Sequence, residues 1–186
     1  MTVRNISNNA RIVALLSFLC GTGIFVLYFL TDAFFLLFAG VGFILIAGLV
    51  NIIYLIPVLK QLFTTKDNRK SLYVTVGLML LNVPVLIVYY WLTTTLLNTM
   101  RITFINETSS TLTEIKIFGC EEKHIDKLQP NEKRLVWVGI TGDCSVNIEF
   151  KKDGKLESEN VTGYTSANMG QRMTHKIGWE NSPANY

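Results

Sequence analysis

Residues 72–106 read LYVTVGLMLLNVPVLIVYYWLTTTLLNTMRITFIN, and the change of pattern inside this stretch decides the fold. Leu72 to Leu97 holds no Asp, Glu, Lys, Arg or His. Such a run reads as a membrane span, because about 20 helical residues, each rising about 1.5 Å, cross a hydrocarbon core of about 30 Å. Only Asn98, Thr99 and Met100 separate it from a segment in which Ile102, Phe104 and Asn106 alternate with Thr103 and Ile105. A period of two belongs to a strand with one buried face. A membrane helix is thus expected to run almost directly into a β domain held close to the bilayer surface.

Two more apolar runs lie upstream, Ile12 to Leu30 and Phe34 to Leu59. In hydrocarbon each backbone polar group needs an internal partner, so all three runs are expected as helices. The gap Thr31-Asp32-Ala33 is short enough to force the first two into an antiparallel hairpin. The first run follows Arg4 and Arg11, as a secretory signal would. It is long for a signal, rich in Phe, Leu and Tyr, and no small-x-small cleavage site follows it, so it is read as a span.

The chain has 186 residues, a net charge of +3 and a mean hydropathy of +0.34. Six basic and two acidic side chains lie in the first hundred residues, eleven and twelve in the remainder. The positive excess therefore flanks membrane spans and is not a nucleic-acid surface. Arg4 and Arg11 precede the first span; Lys60, Lys66, Arg69 and Lys70, with Asp67, sit between the second and third; Asp32 alone marks the first gap. Basic residues stay inside, so residues 1–11 and the second gap are expected in the cytoplasm. Residues 12–100 form the transmembrane region, with spans 12–30, 34–59 and 72–97. Residues 101–178 form an extracytoplasmic β domain, and 179–186 a polar tail. The expected location is a cell (inner or plasma) membrane. Tyr89-Tyr90-Trp91 suits an interfacial belt on its outer side.

Within the spans, Gly21, Gly23, Gly40, Gly42, Ala47 and Gly48 are expected to allow close helix approach, with Gly40 and Gly48 on one face. Asn51 and Asn82 have amides that hydrogen-bond across helices, and Pro84 frees a carbonyl in the third helix. Either these residues glue the bundle or they form a polar site for an ion or lipid headgroup. The absence of ionisable residues from the spans argues against a pump, a proton-coupled transporter or a voltage sensor.

Beyond Arg101 the alternation recurs at Ile115–Ile117, at Val136, Val138 and Ile140, and most cleanly at Cys144, Val146, Ile148 and Phe150. Asp153-Gly154 predicts a type I′ hairpin and Pro130-Asn131-Glu132 another turn. Val161, Tyr164 and Met173–Ile177 add further strands. Six or seven short strands imply a small antiparallel sandwich or barrel-like domain, so the fold class is membrane α + β. Cys120 ends one strand and Cys144 begins another; in an extracytoplasmic compartment they are expected as a disulfide, worth roughly 3 kcal/mol by loop closure. Cys20 is an apolar filler in the first span.

No Gly-rich phosphate loop, G-x-S-x-G or H-E-x-x-H occurs, and Glu121-Glu122 is read as a surface turn. His124 and His175 lack the paired spacing of a zinc site. Neither enzymatic activity nor a cofactor or metal is expected. Asn5, Asn106 and Asn160 begin glycosylation sequons. Tyr164 to Met173 is polar and small; Tyr164, Asn168 and Gln171 make it the candidate binding loop. The expected partners are the lipid bilayer and either another protein or further copies of this chain. The expected role is a membrane-anchored interaction protein, an accessory subunit of an envelope membrane complex that binds a partner through its β domain. The alternatives are an effector whose β domain senses a ligand and whose helices breach the membrane, and a small channel or transport subunit.

Overall fold

A computed structural model describes residues 3–65 and 69–178. Lys66 and Asp67 of the second gap, and the tail 179–186, lie outside the described residues. The chain divides into two compact units, Met1–Leu92 and Thr93–Tyr186.

The first unit holds helices α1 (Val3–Thr31), α2 (Phe35–Thr64) and most of α3 (Arg69–Leu97). All three are long and apolar enough to cross a membrane. Each extends beyond its apolar run. Helix α1 begins well before Ile12, inside the stretch expected as the cytoplasmic N-terminus, because its polar first turns find partners on α3. Ser7, buried, shares a 2.7 Å hydrogen bond with Thr75, and Arg11 donates to the Thr75 hydroxyl (2.8 Å) and the Ser71 carbonyl (2.7 Å). Around them Ala10, Ala14, Val58, Leu62, Leu72 and Met79 form a small apolar core. Further along, Thr22 and Tyr89 are hydrogen-bonded (2.7 Å), and Phe25 stacks on the Tyr89 ring at 4.9 Å. Asp32, at φ 52°, turns α1 into α2. The α2 and α3 faces rich in Ile, Leu, Val and Phe are exposed, as lipid-facing surfaces are.

The second unit holds seven strands: β1 (Thr99–Asn106), β2 (Leu112–Phe118), β3 (Lys123–Leu128), β4 (Lys133–Gly139), β5 (Cys144–Lys152), β6 (Lys155–Thr165) and β7 (Arg172–Ile177). They form two sheets, ordered β4-β1-β7 and β3-β2-β5-β6. Met100, Ile102 and Phe104 from one sheet and Leu112, Ile115, Ile117, Val146, Ile148 and Phe150 from the other fill the space between them. The two sheets are the sandwich the alternation implies. Pairing is antiparallel with one exception: β1 and β7 run parallel, Arg101 opposite Arg172 and Asn106 opposite Ile177. Parallel neighbours need a long crossover, and here strands β2 to β6 supply it.

Two turns explain the registers. Asp153 (φ 50°) and Gly154 (φ 78°) both take the left-handed conformation of a type I′ turn, which pairs Lys152 with Lys155. Glu114 (φ 49°) is bulged out of β2, so Leu112, Ile115 and Ile117 all point inward despite their uneven spacing. The register places Asn98, Gly139, Cys144 and Thr165 at the end where α3 arrives. Asn106, Asn131 and Asp153 lie at the opposite end.

Candidate functional site

Two of the intramembrane candidates, Asn51 and Asn82, hydrogen-bond between helices. Asn51 Nδ2 donates to Ser17 Oγ of α1 (2.8 Å) and to its own helix at Ala47 O (2.8 Å). Asn82 Nδ2 reaches Ala14 O of α1 (3.1 Å). Pro84 lies inside an uninterrupted α3, as Pro57 does in α2. The glycines separate. A Cβ on Gly40 would sit 3.7 Å from Ile24 of α1, whereas one on Gly48 would meet nothing within 4 Å. The expected shared face fails because eight residues at 3.6 per turn leave an offset of roughly 80°.

Cys120 and Cys144 are joined by a disulfide, Cα–Cα 5.4 Å, at the α3 end of the domain. Nearby, Glu121 pairs with Lys123 (2.6 Å) and accepts the Gly139 N–H (2.8 Å). The Lys123 ammonium, then that backbone N–H, hold its carboxyl below the ordinary value. Glu121, in a surface bend, is thus a polar joint between β3 and β4. Among the sequons, Asn106 is fully buried: its amide donates to Leu128 O and Ser110 O, and its oxygen accepts from Thr108. Its side-chain amide is fully engaged inside the folded domain.

The loop after β6 is also structural. Gly170 N–H donates to Leu97 O (2.7 Å), Asn168 N–H to Asn98 Oδ1 (3.2 Å), and Arg101 N–H to Gln171 O (2.8 Å). Tyr164 Oη and Ser166 Oγ both donate to Asp143 (3.2 and 2.7 Å). Of the candidate binding residues, Asn168 bonds through its backbone to Asn98 just after α3, Gln171 through its backbone to Arg101 of β1, and Tyr164 presents an exposed ring.

What the sequence did not single out is an open groove of about 560 Å³ between β3 and β4. These are the edge strands of different sheets, so each has one row of backbone groups without a ladder partner among the described residues. On the other open side of the sandwich, β6 and β7 are tied. His175 Nε2 lies 2.8 Å from Glu159, whose second oxygen accepts the Gly178 N–H (2.9 Å). Among the described residues no such tie spans the groove between Leu135 and Ile125. Edge strands usually carry charge to block pairing, and Lys127, Lys133 and Arg134 do that here. Leu135 and Trp137 break the pattern: they are 51% and 41% exposed on β4, both lining the groove. The alternation of Val136, Val138 and Ile140 leaves Trp137 on the opposite face, but does not show that β4 is an edge. His124 lines the same groove, and no cluster of three metal-ligating side chains occurs among the described residues.

No protein-family model matches the sequence, and no curated protein matches it. Among solved structures it is similar to one described as an NMR structure of the protein from Eubacterium rectale. The identity is 14%, the match covers 42% of this chain and 78% of that one, and the TM-score is 0.33. A likeness that loose carries no argument.

Proposed function

We propose that this is a non-enzymatic, membrane-anchored interaction protein, an accessory subunit of a larger envelope complex, that receives an extended segment of a partner protein along β4. The observation that carries it is the β3–β4 groove: an unladdered strand edge beside Leu135 and Trp137. Strand addition draws affinity from such backbone rows and specificity from flanking side-chain pockets. A large aromatic at an exposed edge is the residue type that anchors interfaces. The β domain faces the extracytoplasmic side in this proposal, with the N-terminus in the cytoplasm. The basic flanks of the spans support that orientation. So does the Cys120–Cys144 disulfide, since such bonds persist in oxidising compartments.

The test places a photo-crosslinking amino acid at Trp137 and, as control, at Leu156, an exposed residue of β6. In native membranes, Trp137 should give a discrete adduct with one partner and Leu156 none. Gentle solubilisation that yields only a monomer, with no adduct from either position, would refute the proposal. Protease added to intact cells, after opening any outer wall layer, should cleave the β domain; protection would refute the orientation.

A further inference from the structure

The last turn of a helix leaves carbonyls without intrahelical partners. At the end of α3 the β domain supplies them. Gly170 N–H meets Leu97 O at 2.7 Å, and Ile140 N–H meets Asn98 O at 2.9 Å. The loop is pressed onto the helix end: a Cβ at Gly170 would fall 2.6 Å from Leu97 O and closer still to Leu96 O. Met169 is carried between Asn168 and Gly170, the two residues that make contacts with Asn98 and Leu97, so it is fixed at the level where the apolar run of α3 stops. Its side chain is 49% exposed. Tyr164 is 60% exposed with its hydroxyl engaged by Asp143, so the ring body faces outward while its polar tip is satisfied.

A single exposed Met or Tyr means little by itself. Here both stand beside the terminus of a membrane-crossing helix, the depth at which amphipathic aromatic side chains concentrate. The carboxylates at this end are already engaged: Asp143 by Ser166 and Tyr164, Glu121 by Lys123, Glu122 by Lys116. From these placements we infer that the end of β6 and the loop 166–171 form a lipid-contacting element, inserting Met169 and the Tyr164 ring into the interfacial layer of the bilayer that α3 leaves at Leu97. The occupant of this surface is the lipid itself, independent of any partner in the β3–β4 groove.

The full-length chain, in a Cys20→Ser background, carries a nitroxide at Met169→Cys and is reconstituted into vesicles of phosphatidylcholine and phosphatidylglycerol. Collision with oxygen and with a water-soluble nickel chelate then reads depth. An Asp153→Cys label is the aqueous control, since the eight-residue β1 separates the two ends by about 26 Å. The Met169 label should show an oxygen-to-nickel accessibility ratio several-fold above that of the Asp153 label, at a depth of about 5–10 Å. A Tyr164→Cys label should show a ratio between the two. Equal ratios at Met169 and Asp153 would place the loop in water and overturn the inference. Low accessibility to both reagents at Met169 would mean that protein covers it, and would also overturn it.

Discussion

Substituting Gly170 by Ala tests whether the α3 end is held as described. The added Cβ would meet Leu97 O at 2.6 Å and Leu96 O more closely, both of them backbone atoms that cannot rotate away. Overpacking of this kind costs about 1–3 kcal/mol. Relieving it pulls Gly170 N–H from Leu97 O, with a further loss of about 0.5–1.5 kcal/mol. The expected destabilisation of the joint is roughly 2–4 kcal/mol. Hydrogen exchange in detergent micelles reads it at the amides of Arg101 and Ile140, which donate to Gln171 O and Asn98 O beside the loop. At about 1.4 kcal/mol per tenfold, those amides should exchange roughly 30- to 700-fold faster. Gly163→Ala is the control, because its Cβ would meet only Asn160 Oδ1 at 3.9 Å. Exchange at Arg101 and Ile140 within about threefold of wild type, by a scale on which tenfold is about 1.4 kcal/mol, would refute the seating of the loop on the helix.

Breaking the disulfide, by Cys120→Ser with Cys144→Ser or by reductant, should remove about 3 kcal/mol and lower the melting midpoint of the β domain by roughly 10–20 °C. An unchanged melt under reductant would show that the bond contributes nothing. Glu121 has a folded pKa below its ordinary value of 4.5, so its contribution is complete above that value and fades as pH falls through the folded pKa. In acid titrations followed by thermal melts, Glu121→Gln should be the less stable protein near neutrality and show a shallower loss below about pH 4.5. Thr75→Val removes the hydroxyl that binds both Ser7 and Arg11. It should weaken the helix bundle by about 1 kcal/mol in a reversible unfolding assay in micelles, since interhelical hydrogen bonds are worth about that.

The three spans were legible because lipid allows few solutions: a long uncharged run has to be a helix. The disulfide was legible because two cysteines at strand ends coincided with an expected orientation that would tolerate oxidation. Helix ends were harder. Arg11 reads as a topological flag, yet it is built into α1 by acceptors sixty or more residues away, which no local pattern shows. Strand β3 was masked by its own polarity, since Lys123-His124-Ile125-Asp126-Lys127-Leu128 buries only Ile125 and Leu128 and breaks the period of two. The groove depends on which strands become edges, a property of topology and not of any segment. The loop 166–171 was visible as a loop, but its backbone bonds to the α3 end were not, because main-chain donors carry no sequence signature.

The parallel pairing of β1 and β7 also sets an order of assembly. The strand that follows α3 occupies the middle of its sheet, yet one of its two neighbours is the final strand of the domain. At a synthesis rate of about 5–20 residues per second, β1 waits roughly 4–14 s after its own completion before β7 exists. Cys120 and Cys144 both lie in the segment made during that delay. The second sheet can thus be covalently fastened first, leaving a prepared surface on which the earliest and latest strands meet.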